Sequence, residues 1–203
     1  MSTDRIAAII DFIPACKTLA DVGCDHGFVA AAAAKKADRV YATDISEECL
    51  AKARLNCMGL NNVVFVLSDG LDGVERVDCA VICGMGGKLI AEILSRIDYK
   101  PYLVLGPQKN VDSLRAFLSK SGYEIVRDEV VKDGRKFYDI ICARGGRQTL
   151  DETQLKEGVF YKTPSPARRE RLERKLVFFS TLPPTESNLQ TIYHIKEALK
   201  WQN

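Results

Sequence analysis

The sequence of 203 residues lacks any apolar run that approaches the ~20 residues of a membrane span. The apolar stretch from Phe28 to Ala34 is ended by Lys35 and Lys36. The first five residues also lack the basic segment and long apolar segment of a signal peptide. We therefore expect a cytoplasmic protein that makes no membrane contact.

The sequence has no C-x-x-C motif, and its seven cysteines are odd in number and scattered. Both features argue against a framework of disulfides. Cys79 and Cys83 are four residues apart, but on the strand predicted there they would lie more than ~10 Å apart along one face. We expect no metal site, and we interpret most of these thiols as small buried hydrophobic groups.

The net charge of +2 excludes a strongly basic protein, but the C-terminal quarter contains a basic run. Between residues 162 and 175 six basic side chains face only Glu170 and Glu173. Such a run is expected at a contact with a polyanion, although a solvated helix face is an equal alternative on charge alone. The six basic residues are Lys162, Arg168, Arg169, Arg171, Arg174 and Lys175.

Apolar runs rich in β-branched residues alternate with helical patterns along the first two thirds of the chain. This alternation predicts a parallel sheet with helices on both faces. The predicted strands are Thr18–Val22, Arg39–Thr43, Val63–Leu67, Cys79–Cys83 and Tyr102–Leu105. The predicted helices are Asp4–Ile13, Phe28–Ala37, Ser46–Met58, Lys88–Arg96 and Val111–Ser121.

The alternation ends in a predicted hairpin, in which Tyr123–Val131 and Lys136–Ala143 are joined by Lys132-Asp133-Gly134-Arg135. An Asp-Gly connection is a strong hairpin signal. One strand of the sheet must then run antiparallel to the others, which is typical of class I methyltransferases with their Rossmann-like α/β fold. A dehydrogenase would continue with further strand–helix units.

A different pattern follows Gly145-Gly146. Two predicted helices, Ser165–Phe179 and Glu186–Trp201, flank Pro183-Pro184 and carry apolar residues at helical spacing. They predict a small antiparallel helical hairpin. We therefore divide the chain into a cofactor-binding domain at residues 1–146 and a helical hairpin at residues 147–203.

The loop after the first predicted strand reads Asp21-Val22-Gly23-Cys24-Asp25-His26-Gly27. Gly23 allows a tight turn close to a ligand, and the following helix offers free N–H groups. Asp21 is placed to accept hydrogen bonds, as from a cofactor's amino group. Asp44, at the end of the second strand, is placed to hold two ribose hydroxyls, a feature shared by dinucleotides and S-adenosylmethionine.

The same loop favours a methyl donor over a dinucleotide. A pyrophosphate requires the unhindered G-x-G-x-x-G turn, which is absent here. Asp25 would repel a diphosphate, whereas a sulfonium with an amino-acid tail tolerates a nearby carboxylate. His26 is more plausibly a ligand contact than a helix cap, and we expect His194, in a helical segment, to lie at the surface.

Two further loops follow the third and fourth predicted strands. Ser68-Asp69-Gly70 places Asp69 near an adenine amine, although the same residues also suit an ordinary turn. Cys83-Gly84-Met85-Gly86-Gly87 lies at the carboxyl edge of the sheet, where its glycines permit close approach to a flat substrate. The Asn-Pro-Pro-Tyr loop of many amino-group methyltransferases is absent.

Taken together, these motifs resemble the TrmK family of bacterial tRNA (adenine-N1)-methyltransferases over most of residues 1–145. The pairing of Asp25-His26 with Gly-Met-Gly-Gly is the specific part, because neither is general to the fold. The chain departs from the family pattern at Ala30, Glu47-Glu48 and Gly106-Pro107. The matching segments are Asp21–Gly27, Ala42–Asp44, Ser68–Leu71, Ile82–Gly87, Asn110 with Leu114-Arg115, Gly122–Ile125 and Tyr138–Ile141.

The resemblance implies methylation of N1 of adenine 22, in the D-arm of tRNA, with S-adenosylmethionine as donor. It implies that the six basic residues contact tRNA and that the protein is a monomer or weak dimer. It also implies that the substrate is positioned by His26, Cys83, Gly84, Met85 and Gly86. Cofactor binding falls to Asp21, Gly23, Cys24, Asp25, His26, Gly27, Asp44, Ile45, Ser68, Asp69, Gly70 and Cys83.

Three alternatives remain open at this point: a methyltransferase of small molecules or proteins, a non-catalytic RNA-binding module on the same fold, and an NAD-dependent oxidoreductase.

Overall fold

The computed structural model describes residues 4–202, so the N-terminal expectation about a signal peptide falls partly on residues outside this range. A seven-stranded sheet has the strand order β3-β2-β1-β4-β5-β7-β6. Within this range only β7 runs antiparallel to the remaining strands, which confirms the predicted fold class. The strands are β1 (Cys16–Val22), β2 (Ala37–Asp44), β3 (Val63–Leu67), β4 (Cys79–Cys83), β5 (Tyr102–Gly106), β6 (Tyr123–Asp133) and β7 (Lys136–Gly145).

Eight helices accompany these strands in the described part of the chain, and none of them is long and apolar enough to cross a membrane. Ser46 caps α3 by accepting a hydrogen bond from Cys49 N, as its sequence position suggested. The helices are α1 (Asp4–Phe12), α2 (Phe28–Ala33), α3 (Glu47–Asn56), α4 (Gly87–Ser95), α5 (Val111–Lys120), α6 (Glu152–Glu157), α7 (Pro166–Ser180) and α8 (Glu186–Leu199).

Two helices differ from the prediction by more than two residues at an end. Helix α2 ends at Ala33, not Ala37, because Lys36 turns back and its Nζ donates to the carbonyls of Ile10 and Ile13 at 2.7 and 2.9 Å. Helix α6 was not predicted. It begins with a capping box between Asp151 and Gln154, a signal that the sequence does contain.

The hydrophobic core lies in two layers, one on each face of the sheet, each built from β-branched and aliphatic residues of the strands and the helices that cover them. A third, smaller cluster joins α7 and α8 around Leu172, Ile195 and Ala198. The C-terminal helices thus have their own apolar contact, as expected of the predicted hairpin.

A buried ion network attaches this hairpin to the sheet. Arg115 of α5 donates to Asp128 of β6 through Nε at 2.8 Å and Nη2 at 3.0 Å, and Val159 N donates to the same carboxylate. Asp139 of β7 accepts from Arg115 at 2.9 Å and from Arg171 of α7 at 2.7 Å. Against the effect of burial, Arg171 and Arg115 lower the pKa of Asp139 to about 2.

Loss of the central guanidinium should therefore destabilise the whole protein. The side chains of Arg115 and Asp128 are 2% and 1% exposed, so Arg115→Ala leaves a carboxylate buried without its partner. We expect a loss of about 3–5 kcal/mol in the free energy of unfolding, measured by urea denaturation. The control is Arg144→Ala at an exposed pair with Glu124, with an expected loss below about 1 kcal/mol. Equal losses would contradict this role.

Candidate cofactor and substrate site

A cavity of about 450 Å³ opens at the carboxyl edge of the sheet, where the strand order reverses between β1 and β4. Ligands of open α/β sheets bind at this kind of switch point. Loops after β1, β2, β3 and β4 all reach the cavity, because parallel strands end at the same edge. Twelve of the predicted site residues line it: Asp21, Gly23, Cys24, Asp25, His26, Asp44, Ile45, Asp69, Gly70, Cys83, Gly84 and Met85.

The loop after β1 is held in a strained, left-handed shape. Gly23 and Gly27 have φ of 70° and 71°, and Asp25 has φ of 47°. The N–H groups of Gly23 and Cys24 both donate to the carbonyl of Thr43, at 2.8 and 2.9 Å. A Cβ at Gly23 would strike Met85 Cε. The backbone angle therefore favours glycine here, whereas the flexible end of Met85 could move aside for a side chain.

Asp21 supplies the main unsatisfied group of the cavity. Its side chain is 4% exposed, and Oδ2 has no hydrogen-bond partner within the described part of the chain. Burial raises the pKa of Asp21 to about 7, with a further contribution from Asp44. A buried polar atom without a partner is costly, so the site fits a ligand that brings a cationic or hydrogen-bond-donating group to Asp21.

Asp44 ends β2 and shapes the neighbouring loop. Its Oδ2 accepts from Asp25 N at 3.1 Å, and its Oδ1 accepts from Ser46 N at 3.0 Å. Each carboxylate oxygen can accept a second hydrogen bond. Asp44 therefore remains able to hold two ligand hydroxyls, while Ile45 beside it exposes an apolar side chain.

The loop after β3 is organised by Arg96 of α4. Its guanidinium donates to both oxygens of Asp69, at 3.1 and 3.2 Å, and to Asp72 at 3.1 Å. The hydrogen bond from Arg96 lowers the pKa of Asp69. Asp69 thus reaches the cavity as a fixed anion. Ser68 does not line the cavity: its hydroxyl donates to the carbonyl of Asp72 within the turn.

The glycine-rich loop after β4 is braced by the segment after β5. Gly84 N donates to Gly106 O at 3.1 Å, Gln108 N to Met85 O at 2.8 Å, and Gly87 N to Lys109 O at 2.8 Å. Gly86 forms the N-cap of α4 and does not line the cavity. The loop therefore presents a rigid backbone rather than mobile side chains.

Cys83 lies where a nucleophile or base could act, but its thiol is protonated at neutral pH. Burial, with a contribution from Asp21, raises the pKa of this thiol to about 12. The thiolate is the reactive form of cysteine. Cys83 is thus a neutral packing group against Gly106, where an added Cβ would lie 2.8 Å from its Sγ.

His26 lies at the mouth of the cavity. Its Nδ1 is 2.9 Å from Asp25 Oδ2, and its ring is stacked 5.9 Å from that of Phe28. Gly27, the next residue, does not line the cavity; a Cβ there would come within 2.8 Å of Ala53 Cβ, so it serves the packing of α2 on α3.

His194 is buried, although we expected it at the surface. It is 7% exposed, with Nδ1 2.9 Å from Thr153 Oγ1 of α6. That expectation was wrong because α6, which was not predicted, covers this face of α8.

Sequence reasoning missed part of the lining. Helix α1 contributes Arg5, Ile6 and Ile9, and the segment after β5 contributes Gln108. The position of Gln108 follows from the rule that loops after parallel strands share one edge. The role of α1 has no local signal, because its packing depends on contacts between distant segments. The remaining missed residues are Phe28, Val29, Leu89 and Ile93.

The basic run does not form one exposed face. Arg168 is 3% exposed, and its guanidinium donates to the carbonyls of Phe160, Thr163 and Asp128. Arg171 is paired with Asp139, and Lys175 donates at 2.6 Å to the buried carboxylate of Glu157. The structure therefore removes Arg168, Arg171 and Lys175 from the predicted RNA contacts, since these groups attach helix α7 to the sheet and to α6.

The other three cations of the run remain accessible. Arg169 and Arg174 have side chains 50% and 53% exposed, and each forms an i,i+4 pair on α7. Lys162 lies 5.1 Å from the centre of the Trp201 ring.

Within residues 4–202 there is no group of three or more side chains suited to hold a metal ion.

The reversal of strand order, the terminal hairpin and the four loops define the class of S-adenosylmethionine-dependent, class I methyltransferases. Comparison with known proteins agrees. A sequence profile described as a methyltransferase domain matches residues 2–141. The tRNA (adenine(22)-N(1))-methyltransferase of Bacillus subtilis (strain 168) is 29% identical over 202 residues, which cover 93% of this chain and 83% of that protein.

Solved structures of methyltransferases also match this chain. Sp1610 of Streptococcus pneumoniae, in complex with S-adenosyl-L-methionine, has a TM-score of 0.91 at 26% identity and covers 98% of this chain and 100% of that one. TrmK of B. subtilis has a TM-score of 0.79 at 23% identity, with 99% and 97% covered, and shares the fold. The chain belongs to the methyltransferase-domain family and, within it, to the TrmK family.

The buried carboxyl of Asp21 gives a pH-dependence that can be measured without ligand. Because its pKa is raised to about 7, the folded protein binds more protons than the unfolded chain between its ordinary value and 7. Stability contributed at this site is therefore lost as pH rises through that window. The free energy of unfolding of Asp21→Asn, minus that of the wild type, should rise by roughly 2–3 kcal/mol from pH 5 to pH 8. Urea denaturation at both pH values measures it. A constant difference would show that Asp21 titrates normally.

Proposed function

We propose that this chain transfers a methyl group from S-adenosylmethionine to N1 of adenine 22 in tRNA. The observation that carries the cofactor assignment is the cavity at the switch point, with the unpartnered oxygen of Asp21 inside it. The assignment of the methyl acceptor is based on the relatives, since the B. subtilis protein that matches 93% of this chain is named for adenine 22.

The residues present fit the cofactor. Asp21 Oδ2 lacks a donor that the amino group of the methionine moiety would provide. Asp44, at the end of β2, would hold the ribose hydroxyls, and Asp69 would face the adenine amine. Ile45 would cover a face of the adenine ring, and Gly23 keeps the loop clear of the methionine tail. The anionic lining also suits a ligand whose sulfonium carries positive charge.

When bound, S-adenosylmethionine supplies an electrophilic methyl group on its sulfonium. N1 of adenine already carries an in-plane lone pair, so no proton has to leave before attack. The protein's task is to hold the two reactants in line and to exclude water. Neither the neutral Cys83 nor the glycine-rich loop offers a base, and this reaction requires none.

The acceptor must be unpaired or turned out of its stack, because N1 lies on the Watson–Crick edge. The glycine-rich loop after β4 would form one wall for this flat base. His26, fixed by Asp25 at 2.9 Å, would line the opposite side of the mouth. Both would position the substrate without taking part in bond making.

Phosphates of the tRNA would bind to the exposed cations of the C-terminal hairpin. Lys162, Arg169 and Arg174 are the members of the basic run that remain accessible. We assign residues 147–203 as the tRNA-contacting unit and residues 1–146 as the cofactor unit, in a cytoplasmic monomer or weak dimer.

The direct test is incubation of the protein with methyl-labelled cofactor and unmodified tRNA, followed by mapping of the labelled nucleotide. We expect one methyl group per tRNA, on N1 of adenine 22. Label on a protein or small molecule, with none on tRNA, would favour the alternative methyltransferase. Failure to bind S-adenosylmethionine in calorimetry would favour a non-catalytic RNA-binding module.

The ribose assignment predicts that Asp44→Ala weakens binding of S-adenosylmethionine at least tenfold, because charge-assisted hydrogen bonds are removed. Isothermal titration calorimetry measures this. Asp38→Ala is a matched control, since Asp38 is an exposed residue at the other end of the same strand. If both variants bind the cofactor like the wild type, Asp44 does not hold it.

Combined replacement of Lys162, Arg169 and Arg174 by Ala should weaken tRNA binding and leave the cofactor affinity unchanged. Removal of each phosphate contact should reduce the slope of log affinity against log salt by about 1. The control replaces the exposed cations Lys17, Lys35 and Arg39 near the opposite edge of the sheet. Filter binding at several salt concentrations measures both. An unchanged slope would show that the run is only a solvated surface.

A further inference from the structure

A second groove lies beside the cofactor cavity and has no assigned role. It has a volume of about 450 Å³ and lies between α1, the segment after β5 and the start of β7. Arg5 and Gln108 line both the groove and the cofactor cavity. The two spaces are therefore neighbours, and the groove is within the ~300–1,000 Å³ of small-molecule sites.

The antiparallel strand explains why this groove exists. Leu105 of β5 pairs with Ile141 of β7, so the residues before Ile141 extend past the carboxyl end of β5. Phe137 and Tyr138 are thereby carried to the edge where the cofactor loops end. A parallel strand in this position would have brought its own end, followed by a loop, to the same place.

One aromatic ring of this groove is paired with a guanidinium group, since Arg5 lies 4.8 Å from the centre of the Tyr138 ring. Phe137, the preceding residue of β7, projects from the opposite face of the strand, where Arg174 of α7 lies 5.1 Å from the centre of its ring. The Tyr138 ring is partly buried, which fixes its orientation. Aromatic rings and arginine planes are the surfaces on which unpaired bases of RNA stack.

The charge of the groove is positive. Asp139 lies in it, but its carboxylate is engaged by Arg115 and Arg171 at 2.9 and 2.7 Å. Arg5 and Lys136 form no ion pair among residues 4–202. They are thus available to phosphate oxygens next to the Tyr138 ring.

Gln108 lies at the junction of the two spaces. A Cβ at Gly84 would lie 3.9 Å from Gln108 Nε2, so the amide sits over the glycine-rich loop. Its side chain forms no hydrogen bond within the described residues and is exposed. A carboxamide pairs with N6 and N7 of adenine. Pairing on that edge leaves N1 free.

We propose that this groove is the subsite for the target adenine nucleotide, in which Tyr138 stacks the base, Arg5 and Lys136 face its phosphates, and Gln108 selects adenine. The proposal rests on the proposed function. It adds to the mouth of the cofactor cavity a selectivity determinant, Gln108, and a stacking surface for the base, Tyr138.

The test uses nucleotide probes, so that it does not depend on turnover. The full-length protein is saturated with S-adenosylhomocysteine to fill the cofactor cavity, and 5′-AMP and 5′-CMP are titrated with ligand-observed NMR. We expect at least threefold tighter binding of 5′-AMP than of 5′-CMP. Gln108→Ala should abolish this preference, and Lys136→Ala should weaken both nucleotides at least threefold while keeping it.

Lys17→Ala, at an exposed position on the opposite edge of the sheet, is the control and should bind like the wild type. Thermal unfolding should be unchanged in all three variants, because the replaced side chains are exposed. Equal binding of the two nucleotides by the wild type, or a preference that survives Gln108→Ala, would overturn the subsite.

The tRNA assay separates this result from the proposed function. If the wild type methylates tRNA, Gln108→Ala should lower kcat at least tenfold at saturating S-adenosylmethionine. A wild type that transfers no methyl group to tRNA would refute the proposed function, while the nucleotide preference would still decide the subsite.

Discussion

The remaining structure depends on one constraint: the carboxyl ends of the parallel strands meet where the strand order reverses between β1 and β4. Four loops converge there, and the charge that they bring is mostly negative. Desolvation of Asp21 at this point leaves a carboxylate oxygen without a partner in the described residues and raises the pKa of the group to about 7. The cavity thus carries a cost that a cationic ligand would offset, so the geometry of the sheet and the charge of the cofactor are directly linked.

The antiparallel strand connects this site to the C-terminal hairpin. Because β7 is antiparallel to its neighbours, its first residues lie beside the cofactor cavity. Asp139 of the same strand accepts hydrogen bonds from Arg115 and Arg171. The same few residues therefore hold α7 on the sheet and border the groove that we assign to the base. Attachment of the hairpin and formation of the substrate side of the site are two results of one strand reversal.

The sequence was sufficient for the features that local patterns determine. The bounds of Val63–Leu67 and Cys79–Cys83 were predicted as observed, because short apolar runs bounded by turn residues leave little choice. The twelve lining residues were expected from the loop motifs and the family resemblance, and they meet because parallel strands end at one edge of the sheet. Burial of charge was not predictable. Arg168 and Arg169 are neighbours in a basic run, yet only the structure shows that the first binds backbone carbonyls inside the protein. Pairing between distant segments likewise hid the role of α1.

Asp21 is thus interpreted as a desolvated carboxyl group that a cationic cofactor completes. The most direct test is an NMR titration of the side-chain carboxyl of Asp21, labelled with carbon-13, with and without S-adenosylmethionine. We expect a pKa of about 7 in the free protein and a marked fall when the cofactor binds, because the positive ligand favours the ionised form. An ordinary pKa in the free protein, or one that the cofactor leaves unchanged, would contradict this interpretation.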